Sequence, residues 1–250
     1  MNLKLSHSPT GEDMQQRDNG NPALNDHLLQ QVLESTNIQA AWKQVRRNKG
    51  AAGIDGITIL QFPEWIRPQW QTLEGKLRSD HYRPQPVKRV RIPKDDGSER
   101  LLGIPTVLDR VLQQSIVQVL SPLLDPTFSE HSHGFRPNRS AHDAVKQISQ
   151  YCQQQRKIAV DIDLSKFFDR VNHDLLMTLL GRRIADKGLL QLIGRFLRCG
   201  IMDDDTLIPS RAGVPQGGPL SPLSYPILCS MSWIKNWKNG VTVLPAMPMT

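Results

Sequence analysis

Residues 158–164 read I-A-V-D-I-D-L and alternate between aliphatic side chains and others. Successive side chains of a strand point to opposite faces, so the four aliphatic residues share one face, and Asp161 and Asp163 share the other. These two carboxylates would lie about 6–7 Å apart and repel each other unless a cation receives them. A phosphoryl-transfer enzyme would hold Mg²⁺ here, because Mg²⁺ prefers oxygen ligands. A strand end facing solvent, or an internal salt bridge, would produce the same pattern.

The residues after this strand predict a turn and then a helix. Asn172 or Asp174 can cap that helix, because Asn and Asp side chains accept the free N–H groups of a first turn. His173 lies at the helix start, where we expect a capping role rather than metal ligation. His131 and His133 in the stretch E-H-S-H have no second pair of ligands at a workable spacing, so zinc is not expected.

The chain before the strand combines helical patterns with one hairpin. The spacing of apolar residues predicts helices over residues 25–48 with a break near 35–37, over 68–77 with Pro68 in the first turn, over 106–122 ending near Pro122, and over 141–153. Thr106 and Asp109 resemble a capping box that opens the third of these helices. Together with the strands, this organisation predicts an α+β fold.

A hairpin is predicted from a first strand at residues 87–92 and a return strand from Leu101 onward. Val90 and Ile92 point to one side of the first strand, while Arg89 and Arg91 point to the other, which predicts a half-buried strand with a basic outer face. The Asp-Asp-Gly-Ser sequence at residues 95–98 supplies the tight turn.

The charge of the chain favours an anionic partner. The 250 residues carry a net charge of +7 and a pI near 9.5. The basic excess is concentrated in the following residues: Lys43, Arg46, Arg47, Lys49, Arg67, Lys76, Arg78, Arg83, Lys88, Arg89, Arg91, Lys94 and Arg100. Such a concentration is typical of nucleic-acid binders, although a solvated basic face would look the same.

Several other classes of protein are disfavoured by the same composition. No apolar run approaches the roughly 20 residues that a membrane helix needs, so no membrane partner is expected. The N-terminus has neither a secretory nor a transit pattern. Cys152, Cys199 and Cys229 are scattered and form neither a disulfide framework nor a metal motif. We therefore expect a cytoplasmic protein.

Five ordered stretches resemble the reverse transcriptases encoded by bacterial group II introns. They read NKGAAGIDG (residues 48–56), RVRIPKDDGSERLLGIPTVLDRVLQQ (89–114), GFRPNRSAHDA (134–144), VDIDLSKFFDRVNHDLL (160–176) and GVPQGGPLSPL (213–223). Any one of these stretches would be weak evidence for the family, but their common order and spacing are specific to it. Leu101 is a minor departure, because the family usually carries proline there.

The resemblance implies the fingers and an incomplete palm of a right-hand polymerase, preceded by a mainly helical N-terminal extension. The expected domains are a flexible arm (residues 1–24), the helical extension (25–86), the fingers (87–153), a partial palm (154–223) and a tail (224–250).

The resemblance also implies catalytic and metal-binding roles for residues of the palm strand. Asp163 matches the first metal-binding aspartate, and the carbonyl of Leu164 would be a further Mg²⁺ ligand. Phe168 matches the aromatic gate that packs under the incoming sugar. Asp161 has no fixed role in the family pattern, and we assign it only a supporting one.

Further residues match positions that hold substrate in the family. Lys94 and Arg100 match fingers residues that grip the triphosphate, and Gln216 matches the glutamine beside the nascent base pair. Nucleic-acid contacts are expected from Arg136, Arg139, Arg89, Arg91 and Lys49.

The activity implied is RNA-directed DNA polymerisation by two-metal transfer of dNTPs onto a DNA primer. The partners implied are dNTP, an RNA template and the intron RNA, whose splicing the family assists. Two alternatives stay open: a non-catalytic RNA-binding fragment, and a retron-like reverse transcriptase. Homodimerisation also stays open.

The resemblance ends after Leu223. A family member would continue through L-S-N-I-L-L to a Tyr-Ala-Asp-Asp turn with the remaining palm carboxylates, whereas this chain reads SYPILCSMSWIKNWKNGVTVLPAMPMT. Back-translation regrouped by one frame permits a reading that begins L-S-N and ends Y-A-D-D. We therefore hypothesise that residues 224–250 are out of frame and expect this chain to be inactive in polymerisation. A divergent C-terminus is the alternative.

Overall fold

A computed structural model describes residues 26–95, 97, 99–154, 158 and 167–232. Within these ranges the helices are α1 (Leu28–Val32), α2 (Ser35–Arg47), α3 (Phe62–Ile66), α4 (Trp70–Arg78), α5 (Val107–Leu124), α6 (Ala141–Gln153), α7 (His173–Gly181), α8 (Lys187–Arg198) and α9 (Ser221–Ser232). The strands are β1 (Val87–Pro93), β2 (Glu99–Ile104), β3 (Ile201–Asp203) and β4 (Thr206–Ile208). Short 3₁₀ turns occupy Asp125–Thr127 and Phe168–Arg170. The structure is a mixed α+β fold, as predicted.

The four strands form one sheet in the order β2-β1-β3-β4. β1 and β2 pair antiparallel along their length, from Lys88 opposite Ile104 to Pro93 opposite Glu99. β3 joins β1 in parallel, but only where Val87 meets Ile201 and Lys88 meets Met202. The rest of the β1–β2 hairpin therefore extends beyond the part of β1 that pairs with β3.

Helix α5 is the centre of the core. Val111, Leu112, Ile116 and Leu120 along it are at most 1% exposed. Helices α1, α2 and α9 pack against α5, and α7 packs against α8 and α9. Each aliphatic side chain buried this completely contributes about 1.5–3 kcal/mol to stability, so this helix anchors the sheet edge and the loops around it.

Local sequence signals account for most element boundaries. The hairpin and the bounds of α6 are confirmed. The break between α1 and α2 is present, but it lies at residues 33–34, and the predicted residues 35–37 begin α2. Thr106 caps α5 through its side chain, which accepts from the N–H of Asp109. Asn172 caps α7, accepting from the N–H of Leu175 at 2.9 Å. The capping role expected of His173 is wrong, because its buried ring instead hydrogen bonds the Gly213 carbonyl at 2.6 Å.

Three other local predictions are wrong. α5 continues through Pro122 to Leu124, since a proline in the last turn removes only one backbone hydrogen bond and buried Leu124 holds that turn in place. α4 begins at Trp70 rather than Pro68. Ile92 is 42% exposed rather than half-buried, because it lies on the part of the hairpin that β3 does not reach.

The predicted carboxylate strand at residues 158–164 lies outside the described residues, apart from Ile158, which is exposed. Over the ranges that the structure describes, no helix has the length and apolar character needed to cross a membrane.

Candidate functional site

The two predicted triphosphate-gripping residues lie on either side of the hairpin turn. Lys94 follows β1 and is exposed, while Arg100 lies in β2, opposite Ile92, and is half-buried. The turn is closed by a hydrogen bond of 3.0 Å from the N–H of Gly97 to the carbonyl of Lys94. Gly97 has a φ of 79°, a conformation that glycine adopts without strain. The turn thus places two cationic side chains at one end of the sheet.

Backbone hydrogen bonds tie the predicted gate and glutamine to that sheet. The N–H of Val214 donates to the carbonyl of Phe168 at 2.7 Å, and the N–H of Gly103 in β2 donates to the carbonyl of Gln216 at 2.7 Å. A Cβ at Gly217 would lie 2.8 Å from the Gly103 carbonyl oxygen, so only glycine allows this approach. The structure therefore joins Gln216 to the strand that carries Arg100, and it joins Phe168 to Val214, two residues before Gln216.

The basic outer face of β1 is paired within the protein. The carboxylate of Asp203 in β3 accepts from Arg89 Nη1 at 3.0 Å and from Arg91 Nη2 at 2.7 and 2.9 Å. Sequence reasoning predicted the two arginines as nucleic-acid contacts but did not find Asp203, which is more than a hundred residues away. An acidic residue at the end of a short strand carries no local signal of such a pairing.

Arg136 and Arg139 are used within the loop between α5 and α6. Arg136 is buried and donates to the Asp125 carboxylate at 2.8 and 3.2 Å and to the carbonyls of Ser129 and Ser132. Arg139 donates to the carbonyl of Glu130. These contacts hold the Gly-Phe-Arg-Pro loop together and do not favour the predicted template contact of Arg136.

Lys49 projects from a glycine loop that is pressed against the start of α5. It is exposed and has a φ of 48°. The buried Arg110 donates from Nη2 to the Ala51 carbonyl at 2.5 Å, and a Cβ at Gly53 would lie 2.6 Å from the Cα of Thr106. Sequence reasoning missed Arg110, whose side chain fixes the position of the loop that carries Lys49.

Asp109 forms a second buried junction at the same helix turn. Its carboxylate accepts from the Tyr82 hydroxyl at 2.6 Å, the Thr106 hydroxyl at 2.8 Å and the Gln85 N–H at 3.2 Å. Burial raises the pKa of Asp109 from 3.8 to about 6, although the three hydrogen bonds act in the opposite direction. Burial and the neighbouring carboxylate also raise the pKa of Tyr82 well above 10.0. Asp109 thus joins the segment before β1 to α5.

The two histidines of the E-H-S-H stretch bind side chains of α6. Gln147 bridges them, with 3.0 Å between its Oε1 and His133 Nε2 and 2.9 Å between its Nε2 and His131 Nδ1. Over the described ranges, no three His, Cys, Asp or Glu side chains are placed to hold a metal ion. Asp163 and Leu164, the predicted metal ligands, lie outside those ranges.

Comparison with known proteins gives a consistent family. Residues 92–242 match the model of the reverse transcriptase (RNA-dependent DNA polymerase) family. Protein YkfC of Escherichia coli (strain K12) is 34% identical over 202 residues, which are 78% of this chain and 53% of that protein. Group II intron-encoded protein LtrA of Lactococcus lactis subsp. cremoris is 35% identical over 199 residues, which are 78% of this chain and 33% of LtrA.

A solved structure agrees with these sequence matches. A chain of the partial Cas6-RT-Cas1–Cas2 complex superposes with a TM-score of 0.56 at 26% identity, over 81% of this chain and 34% of that one. The β1–β2 hairpin and the Pro-Gln-Gly-Gly segment (residues 215–218) thus belong to a fold shared with that structure. The chain belongs to the reverse transcriptase family, and its relatives include a group II intron-encoded protein.

The chain spans about half the length of YkfC and a third of LtrA. The family match extends to residue 242, beyond Leu223, where the resemblance in our reading ends. The out-of-frame origin of residues 224–250 stays a prediction.

Proposed function

We propose that this chain carries the fingers and part of the palm of a group II intron RNA-directed DNA polymerase. One observation carries the proposal: backbone hydrogen bonds join Gln216 to Gly103 and Phe168 to Val214. The first bond supports a position for Gln216, the residue expected at the nascent base pair, beside β2, the strand that contains Arg100. The second supports a position for Phe168, the residue expected at the incoming sugar, close to Gln216 along the same segment. Names of the relatives, which include an intron-encoded protein, support the same class.

The cationic residues at the hairpin turn would bind the triphosphate of a dNTP. Arg100 offers a planar guanidinium for two phosphate oxygens, and Lys94 adds a mobile point charge. Neither is within 4.0 Å of a carboxylate among the described residues. Both side chains are thus available to an anionic substrate.

Magnesium is the cofactor we propose for the family reaction, and it would stabilise the attacking and leaving oxygens of phosphoryl transfer. Asp163 and the Leu164 carbonyl would be its ligands in this chain. One carboxylate with substrate phosphates fits a single weak Mg²⁺ site, but a pair of sites needs more carboxylates. We therefore propose that these 250 residues alone do not polymerise.

The proposed nucleic-acid partners are the intron RNA, an RNA template and a DNA primer. Exposed Lys49 and Lys88 lie with the hairpin in the basic segment of residues 40–100. A second function, RNA binding without catalysis, is favoured by this surface, together with the match of one residue alone, Asp163, to a metal-binding aspartate of the family. Its signature would be RNA affinity that falls with salt while no nucleotide is incorporated.

Primer extension tests the polymerase proposal. A chain whose codons after 223 are shifted into the frame that reads Tyr-Ala-Asp-Asp should extend a DNA primer on an RNA template with Mg²⁺ and dNTPs. Asp163→Asn in that chain should abolish extension, and Lys94→Ala should raise the KM for dNTP. The control Lys76→Ala alters a lysine in α4, away from the hairpin, and should leave both constants unchanged. An extended chain that incorporates no nucleotide would contradict the proposal.

A further inference from the structure

Asp203 is held between two arginines of the neighbouring strand. Its side chain is 17% exposed, and its two oxygens receive three hydrogen bonds from Arg89 and Arg91. Backbone pairing of β1 with β3 ends at Lys88 and Met202, so these side chains extend the contact beyond the ladder. The arrangement is a charged clamp on the basic face of β1, which we call the Asp203 clamp (Asp203, Arg89 and Arg91).

The other acidic residues near the clamp contribute little to it. Arg91 lies 3.7 Å from Glu99 and 3.9 Å from Asp204, whose side chains are 57% and 90% exposed. Ion pairs of such exposed groups contribute little, because water screens them. Asp205 is exposed and forms no ion pair in the described part of the chain. Among the described residues, Asp203 is therefore the carboxylate that neutralises the arginine pair.

A carboxylate bound in this way occupies guanidinium N–H donors that could otherwise bind a phosphate. Guanidinium groups bind planar pairs of carboxylate or phosphate oxygens through parallel N–H donors. Arg89 is only 19% exposed at its side chain while it is paired, and Arg91 is 43% exposed. Asp204 and Asp205 form the turn between β3 and β4 directly after Asp203, and the three consecutive carboxylates repel an approaching phosphate.

We propose that Asp203 acts as an intramolecular substitute for an RNA phosphate and withholds Arg89 and Arg91 from RNA. The inference rests on the proposed function, because it concerns the same basic surface and states which of its cations are in use. RNA then binds this chain through the unpaired cations, and the two arginines engage only when the Asp203 carboxylate is removed or neutralised. Release needs a side-chain rotation, since the backbone ladder of β3 does not depend on that carboxylate.

The test compares Asp203→Asn with Asp205→Asn in the full 250-residue chain. Both variants remove one negative charge from the same turn, but only the first opens the clamp. Each phosphate neutralised on a single strand adds about 0.7 to the slope of log K against log salt. With two arginines released, the slope for a single-stranded RNA oligonucleotide should steepen by about 1.4 in Asp203→Asn. Between 50 and 200 mM salt, this variant should lose about sevenfold more affinity than the wild type.

The control and a second variant separate the outcomes. Asp205→Asn should keep the wild-type slope. If circular dichroism shows that Asp203→Asn does not fold, the double variant Arg89→Gln, Arg91→Gln replaces it in the test. Arginines that are withheld from RNA predict the wild-type slope for this double variant. Arginines that already bind RNA predict a slope shallower by about 1.4. Equal slopes for folded Asp203→Asn and Asp205→Asn would overturn the inference alone. Absence of RNA binding by the wild type and by every variant would instead contradict the proposed function.

Discussion

Asp109 makes the stability of this fold depend on pH in a measurable way. Its carboxyl is 1% exposed, and burial raises its pKa from 3.8 to about 6. A group whose pKa is higher in the folded state stabilises the fold while it is protonated. That stabilisation is fully present below pH 3.8 and is lost as the pH rises through about 6. Each tenfold change in proton affinity corresponds to about 1.4 kcal/mol, so the whole loss is about 3 kcal/mol.

The substitution Asp109→Asn removes the titrating group while keeping one oxygen acceptor. Urea unfolding followed by tryptophan fluorescence, from pH 4 to pH 7, gives the free energy of unfolding of each protein. The wild type should lose about 2–3 kcal/mol relative to Asp109→Asn across this range, because most of the titration falls within it. Taking the difference between the two proteins cancels the titration of the other groups.

Tyr82→Phe provides a matched control. It removes the 2.6 Å hydrogen bond that lowers the pKa of Asp109, so the pH at which stability is lost should move upward. Parallel stability curves for wild type and Asp109→Asn from pH 4 to pH 7 would refute the reasoning.

Three further predictions follow from packing and charge. Gly53→Ala should cost about 1–3 kcal/mol of unfolding free energy, because its Cβ would collide with the Thr106 backbone. The control Gly75→Ala in α4 meets no atom within 4 Å and should be neutral or stabilising. Urea unfolding of both variants measures the difference, and equal midpoints would contradict the prediction. Arg136→Gln should destabilise by about 3 kcal/mol, since the Asp125 carboxylate and three backbone carbonyls would lose their donor, while Arg139→Gln should cost less. A reversed order in thermal melts would count against the loop described. The 250-residue chain should incorporate no dNTP in a primer-extension assay with Mg²⁺, and any extension product above the Asp163→Asn background would contradict that expectation.

Local chemistry explains what the sequence could predict. Thr106 and Asn172 indicate where helices begin, because the capping side chain accepts a hydrogen bond from the backbone N–H three residues later. The β1–β2 hairpin is equally local, since its strands are joined by a Gly-containing turn. Because these signals depend only on near neighbours, the α+β class and most boundaries could be predicted from the sequence.

Contacts between distant segments explain what the sequence could not predict. In the sequence, Arg89 and Arg91 predict a solvent-exposed basic face. In the structure, the parallel pairing of β3 with β1 places Asp203 against both arginines. Arg136 was predicted to contact the template for a similar reason. It lies in the loop before α6, whereas its carboxylate partner Asp125 directly follows the end of α5. A motif indicates which residue types are present, but only the packing decides which cations are already used.

The salt dependence of RNA binding tests the central claim that this chain binds RNA through cations of its basic segment, residues 40–100, that form no ion pair among the described residues. Fluorescence anisotropy of a labelled single-stranded RNA should be measured with the purified chain from 50 to 200 mM salt. Contacts from four cations without an ion pair in the described ranges, Lys49, Lys88, Lys94 and Arg100, predict a slope of about −3 in log K against log salt. A slope near zero, or no binding at 50 mM salt, would contradict the account.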